Sequence, residues 1–118
     1  RPDAGSVVVT DRIPAGTRLF LGDLDGPGSG PVRFEDGAGA DRSGLSYAFA
    51  GLADSGDDLS FSCDGGLGWD TPGCPGAPDA DGYGPSVTHL RVVPGGRMRR
   101  AGGTRVPTFT LEFRVRVE

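Results

Sequence analysis

The sequence predicts an all-β domain, a sandwich or barrel of antiparallel strands, and three observations carry that expectation. Apolar residues recur at every second position in several short runs. Turn residues separate the runs, with Gly 22 and Pro 10 in 118 residues. No ten-residue window combines a helical period with freedom from Gly, Pro and β-branched breakers. So high a Gly and Pro content alone would suggest a loose, low-complexity chain, and the repeated alternation is what argues against that.

Strands are expected near 6–11 (SVVVTD), 17–22 (TRLFLG), 31–36 (PVRFED), 44–50 (GLSYAFA), 57–63 (DDLSFSC), 86–93 (SVTHLRVV) and 108–118 (TFTLEFRVRVE). The turns between them include 13-IPAG-16, 22-GDLDGPGSG-30, 51-GLADSG-56, 71-TPGCPGAPDADGYGP-85 and 94-PGGRMRRAGG-103. Leu45, Tyr47 and Phe49 share a face, as do Leu59 and Phe61, while Leu90 and Val92 face inward if His89 and Arg91 face out. The last run is the most regular. Phe109, Leu111, Phe113, Val115 and Val117 alternate with Thr110, Glu112, Arg114 and Arg116. At about 3.4 Å per residue that strand would run roughly 30 Å, which raises the question of what it pairs with.

The length fits a single domain, 1–118. A net charge of −4 gives no global attraction to nucleic acid or to an anionic membrane. No apolar run is long enough to span a bilayer, and no signal-peptide pattern stands at Arg1, so membrane insertion is not expected. There are 12 basic residues, all Arg, and Lys, Asn and Gln are absent, which reads as codon bias. The lack of Lys and Asn rules out a Lys–Asn isopeptide cross-link, and the lack of Asn rules out an N-x-[ST] glycosylation site. Cys63 and Cys74 flank a loop rich in turn residues, and their spacing matches no zinc or redox motif. A disulfide between them is expected, and with it an oxidising compartment.

Chemistry-bearing residues are few. Asp79 and Asp81 in 79-DADG-82 form the D-x-D-G start of a calcium loop, with Asp23, Asp25, Asp57 and Asp58 as further ligands if the loops meet; an Asx-type turn is the competing reading. Arg97, Arg99 and Arg100 form a basic loop able to grip phosphate or an acidic polysaccharide, or the acidic loops of another subunit. Trp69 and Tyr83 could stack on sugar rings, against core packing beside the disulfide for Trp69. His89 is the one histidine, and no G-x-S-x-G elbow or paired carboxylates accompany it, so no enzyme is expected and no cofactor beyond the calcium candidate.

The stretch 7-VVVTDRIPAGT-17 resembles the bacterial surface-protein repeat known as domain of unknown function eleven, with its V-x-V-T-D-x-x-P-x-G pattern. The likeness continues through 44-GLSYAFAGL-52, 57-DDLSFS-62, 79-DADGYGPSVTHLRV-92 and 108-TFTLEFRVRV-117. The resemblance implies an Ig-like antiparallel β-sandwich in a secreted or cell-surface protein, with structural or adhesive roles and no catalysis. The cysteines and Gly84 depart from the family pattern. So does the start, where 1-RPDAG-5 stands in place of a T-Y-T-I-x-V-T-N-x-G segment that supplies the first one or two strands.

A sandwich short of those strands would expose unpaired backbone. The expected partner is an upstream segment of the same protein or another copy of the chain, adding a strand, and repetition of such a contact makes a filament. The expected contact residues are Phe109, Leu111, Phe113, Val115 and Val117 of the last strand, with Val7 and Val9 of the first. The C-terminal strand is the expected neighbour at the gap that the missing opening strand leaves, since first and last strands of a sandwich often lie side by side. The rival reading is a glycan- or calcium-binding adhesion module built on 64–84.

Overall fold

The computed structural model describes residues 7–52 and 56–118. The expected opening segment 1–5, Ser6 of the first strand and residues 53–55 of the 51–56 turn lie outside the described residues.

The fold is all-β. Its strands are β1 (Val9–Arg12), β2 (Thr17–Phe20), β3 (Arg33–Asp36), β4 (Leu45–Ser46), β5 (Leu59–Ser62), β6 (Tyr83–Gly84), β7 (His89–Val92), β8 (Gly95–Gly96), β9 (Phe109–Glu112) and β10 (Val115–Val117), with one 3₁₀ turn at Gly39–Asp41. All strand pairings are antiparallel: β1-β7-β5, β10-β2-β6, β3-β9 and β4-β8. Leu59, Phe61, Leu90 and Val92 from the first ladder meet Leu19 and Leu21 from the second in one buried cluster, which also takes Ile13, Val32 and Val87. Two ladders facing across a shared core is the arrangement of a sandwich.

Each expected strand has a counterpart, though most are shorter. The expected 44–50 strand contracts to the two residues of β4, and β6 and β8 arise inside stretches read as loops. Both contain or consist of glycine, so period-two apolar alternation could not reveal them. Gly96 pairs with Leu45 at φ +84°, a conformation that favours glycine over any residue with a Cβ. Leu90 and Val92 are buried, with His89 and Arg91 half-exposed. On β5, by contrast, Ser60 and Ser62 are buried along with Leu59 and Phe61. The cysteine loop folds over this strand, and Ser62 Oγ, fully buried, bonds Asp64.

The C-terminal run divides into β9 and β10, and the cause lies in its partner. β10 opposes β2, with Val115 across from Leu19 and Arg116 across from Arg18, and the Arg114 carbonyl accepts the Phe20 N–H. β9 opposes β3, with Glu112 across from Arg33 and Leu111 across from Phe34. Only Phe113 separates Arg114 from Glu112, whereas the partner chain leaves at Phe20 and returns at Arg33. The ribbon 109–117 therefore runs along two segments of one interrupted neighbour. Residues 21–32 leave the ladder between them, and Leu21 and Val32 enter the core at either end. Asp23 closes that excursion by accepting the N–H groups of Gly28 and Gly30.

Phe109, Leu111, Phe113 and Val115 are half-buried and Thr110, Glu112 and Arg114 exposed, as the alternation requires. Val117 departs from it at 79% exposure. β1 pairs with β7, Val9 lying across from Val92, so Val9 belongs to a different ladder from the ribbon, and Val7 precedes β1 outside the pairing.

Cys63 and Cys74 are joined, with Cα atoms 6.0 Å apart, and both pack against the core. Inside their loop Asp70 donates its N–H to the Phe61 carbonyl at 2.9 Å, and its carboxylate accepts the Phe61 N–H at 3.2 Å. The loop thus satisfies the outer edge of β5. Replacing both cysteines with Ser is expected to lower the unfolding free energy by about 3 kcal/mol, from the chain entropy of so short a loop. Urea titration of the oxidised and double-Ser proteins measures it.

Candidate functional site

The feature that stands out is the ribbon's second edge. In antiparallel pairing a residue's N–H and C=O point to the same side of the strand, alternating along the chain. The Thr108 carbonyl accepts from Gly37 N–H, the Arg114 carbonyl from Phe20 N–H, and Glu118 N–H donates to the Gly16 carbonyl. The backbone of even-numbered residues therefore faces β3 and β2. That of Phe109, Leu111, Phe113, Val115 and Val117 faces the other way, and among the described residues no strand lies there: β9 and β10 are terminal in their ladders.

Other edges are treated differently. The Asp70 loop covers β5 through the Phe61 backbone. The 79–82 turn covers β6, with Asp79 N–H donating to the Tyr83 carbonyl at 2.7 Å. β1, β3, β4 and β8 are also terminal in their ladders among the described residues; each is two to four residues long, and β1 bears exposed Asp11 and Arg12.

A charged cluster holds the far end of the ribbon. Arg18 and Arg116 are directly opposed across β2 and β10, an arrangement that repels on its own. Asp79 Oδ2 bridges them, 3.1 Å from Arg18 and 2.7 Å from Arg116. Arg116 also reaches Asp81 at 2.8 Å, and Arg18 pairs with Glu118. Arg116 lies over the Tyr83 ring, 4.6 Å from its centroid, and Tyr83 packs against Phe20 at 5.3 Å. Asp79 also accepts the N–H groups of Asp81 and Tyr83. Those backbone bonds, Tyr83 first, together with Arg116, hold its carboxyl below the usual range.

The calcium candidates take the competing reading, turns and ion pairs. Asp79 and Asp81 converge on Arg116, and Asp79 forms an Asx turn. Asp23 serves the 21–32 loop, Asp25 lies 3.6 Å from Arg33, and Asp57 and Asp58 accept backbone N–H groups of Ala50, Leu59 and Ala48. Among the described residues no three carboxylate, histidine or cysteine groups converge in a way that could hold a metal. The carboxylates are occupied in building turns, a role that leaves them apart.

Trp69 and Tyr83 belong to separate clusters. Trp69 is half-buried beneath Arg91, whose guanidinium stands 4.3 Å from the ring centroid, and it is outside the core cluster expected beside the disulfide. Arg99 and Arg100 are exposed, as is Arg97, on a loop tied down by Arg99 N–H to the Ser43 carbonyl and by Arg105 Nε to the Arg100 carbonyl. Neighbouring Arg42 bridges Thr108, so this basic loop stands at the start of the ribbon. His89 Nδ1 is 3.1 Å from the Thr88 hydroxyl, beside a cleft of about 590 Å³ lined also by Arg12, Ile13 and Gly65. Among the described residues no helix is long and apolar enough to cross a membrane. No family model, curated protein or solved structure matches the chain.

Asp79 sets a pH dependence. Its folded pKa lies below the unfolded value of about 3.9, so its contribution is complete above that value and is lost as pH falls through the folded pKa. Asp79→Asn is expected to lower the melting temperature at pH 7 and to flatten the acid limb below about pH 4. Thermal melts from pH 2 to 7 on both proteins check this; parallel acid limbs would refute the assignment.

Proposed function

We propose that this chain is a non-enzymatic structural module of a secreted or cell-surface protein that joins its neighbours by strand addition at the outer edge of the ribbon 109–117. One observation carries the reading: a long, half-buried ribbon whose odd-numbered backbone groups have no described partner, in a fold that covers β5 and β6 with loops. Such an edge is a template for another strand. The Cys63–Cys74 bond favours an oxidising compartment. The resemblance of 7–17 and the later motifs to the surface-protein repeat, and through it to an Ig-like sandwich, points the same way. A strand from an upstream segment would link modules in a linear array; one from another copy would link separate chains, and repetition of such contacts builds a filament.

The adhesion reading is weaker. Arg116 lies over Tyr83 and Arg91 over Trp69, so each ring already has a cationic group on one face, and Asp79 and Asp81 are engaged by arginine.

Val115→Pro tests strand addition, because it removes an outward-facing N–H while leaving the bonds of Arg114 and Arg116 to β2. The wild-type chain is expected to self-associate in sedimentation velocity, or to bind a synthetic strand of the T-Y-T-I-x-V type, and the Pro variant to do neither while keeping its far-UV spectrum. Association unchanged by the substitution would end the reading.

A further inference from the structure

We propose that the ribbon's free edge pairs antiparallel with the same edge of a second copy of this chain, about a two-fold axis through Phe113. The inference rests on the strand-addition reading and fixes the partner and the register; a two-fold contact closes as a dimer, so it takes the place of the head-to-tail filament at this edge. The first constraint is parity. Hydrogen-bonded pairs on the free edge must join odd-numbered residues, so an antiparallel self-pairing has its axis at a residue position and not between two.

Side-chain chemistry then selects among the allowed centres. An axis at Glu112 opposes Glu112 to itself, and one at Arg114 opposes Arg114 to itself. An axis at Val115 sets Arg114 against Arg116, and one at Leu111 leaves Glu112 across from Thr110. Only the axis at Phe113 places Glu112 across from Arg114, twice, with Thr110 across from Arg116 and no like charges opposed. These are the non-hydrogen-bonded positions, where Cα atoms approach to about 4.5 Å and side chains meet most closely.

The apolar row is equally self-complementary in that register. Phe113 meets Phe113, Leu111 meets Val115, and Phe109 meets the exposed Val117. A two-fold axis perpendicular to the sheet keeps all five on the core side of a continuous sheet. About ten backbone hydrogen bonds would form along the shared edge.

Both charged partners are accessible. Arg114 is exposed, its guanidinium over the Phe20 ring, and among the described residues it has no carboxylate partner. Glu112 is bonded to Arg33 through Oε1, and its side chain stays 53% exposed. Longer-range charge agrees. Residues 91–105 carry Arg91, Arg97, Arg99, Arg100 and Arg105 without a carboxylate, while 43–90 contain Asp but no Arg. The antiparallel register puts Thr108 across from Glu118, which sends the arginine loop of one copy toward the Glu118, Asp79 and Asp81 carboxylates of the other, beside their partners Arg18 and Arg116.

Sedimentation velocity over a concentration series tests this on the full chain, with Arg114→Glu, Glu112→Arg, and an equimolar mixture of the two. The wild type is expected to pass from monomer to dimer. Each variant is expected to need at least tenfold higher concentration to dimerise, and the mixture to regain the wild-type dimer, because each reversed side chain then faces its opposite. Near-UV circular dichroism confirms that the variants fold; Glu112→Arg also loses its bond to Arg33, so Arg114→Glu alone must show the shift. A wild type monomeric throughout, variants that dimerise unchanged, or a mixture that stays monomeric would each overturn the proposal. Growth beyond a dimer that Arg114→Glu leaves intact would overturn the two-fold register; if Val115→Pro abolished that growth, strand addition would survive.

Discussion

The pairing of residues 109–117 with an interrupted neighbour is the constraint on which the rest of the fold depends. The ribbon spans the break between β2 and β3, so it is the one element that holds Phe20 and Arg33 in line while residues 21–32 loop away. It anchors β2, which carries fully buried Leu19 and in turn pairs with β6. Leu111, Phe113 and Val115 pack against the core from the ribbon. The ribbon, in its two parts β9 and β10, thus ties together a chain whose strands are each two to four residues long. Short strands gain few cross-strand contacts each, and a shared rail lets them act together.

The parts of this fold that were legible in the sequence are those with side chains that report on burial. Phe109 to Val115 and Leu90 with Val92 show alternation that the structure keeps, and Leu59 and Phe61 are buried as their spacing implies. The disulfide was legible from cysteine spacing and loop composition. Three features were not. β6 and β8 are built on glycine, which gives no apolar signal. The division of the last strand follows from where its partner departs, a non-local property that the ribbon's own residues do not encode. The burial of Ser60 and Ser62 follows from the cysteine loop folding over β5, again a tertiary effect.

The acidic loops show why short motifs mislead in a chain of this composition. A D-x-D-G stretch suits both a hard cation and a tight turn, since both use carboxylate oxygens near a glycine. Here the turn takes them. Asp23, Asp36, Asp64 and Asp79 each accept loop N–H groups, and each has its carboxyl held below the ordinary range mainly by those bonds. Many Gly-rich turns with few other polar side chains need acceptors, and in a sequence without Asn or Gln that demand falls largely on Asp, Ser and Thr. The arginines close the remaining charge, as with Arg18 and Arg116 around Asp79. The candidate calcium ligands and part of the candidate glycan platform are therefore one structural cluster, which fixes the far end of the ribbon.

That fixation bears on the free edge. Protein sheets commonly protect an edge by a bulge, a proline, an inward-pointing charge or a covering loop. Pro107 lies before the ribbon and no proline lies within it; Glu112, Arg114 and Arg116 point to solvent from the wet face and leave the row of outward backbone groups accessible. Charges on the wet face do not exclude an incoming strand; they select its register, by the sign they present to the strand beside them. With Arg116 committed to Asp79 and Asp81, and Glu112 partly to Arg33, Arg114 is the residue of that row with no carboxylate opposite among the described residues. The ribbon is tied down at its far end by the Asp79 cluster and carries a positive charge near its centre, so under the proposed strand addition the preferred neighbour is a strand that brings a carboxylate to that position.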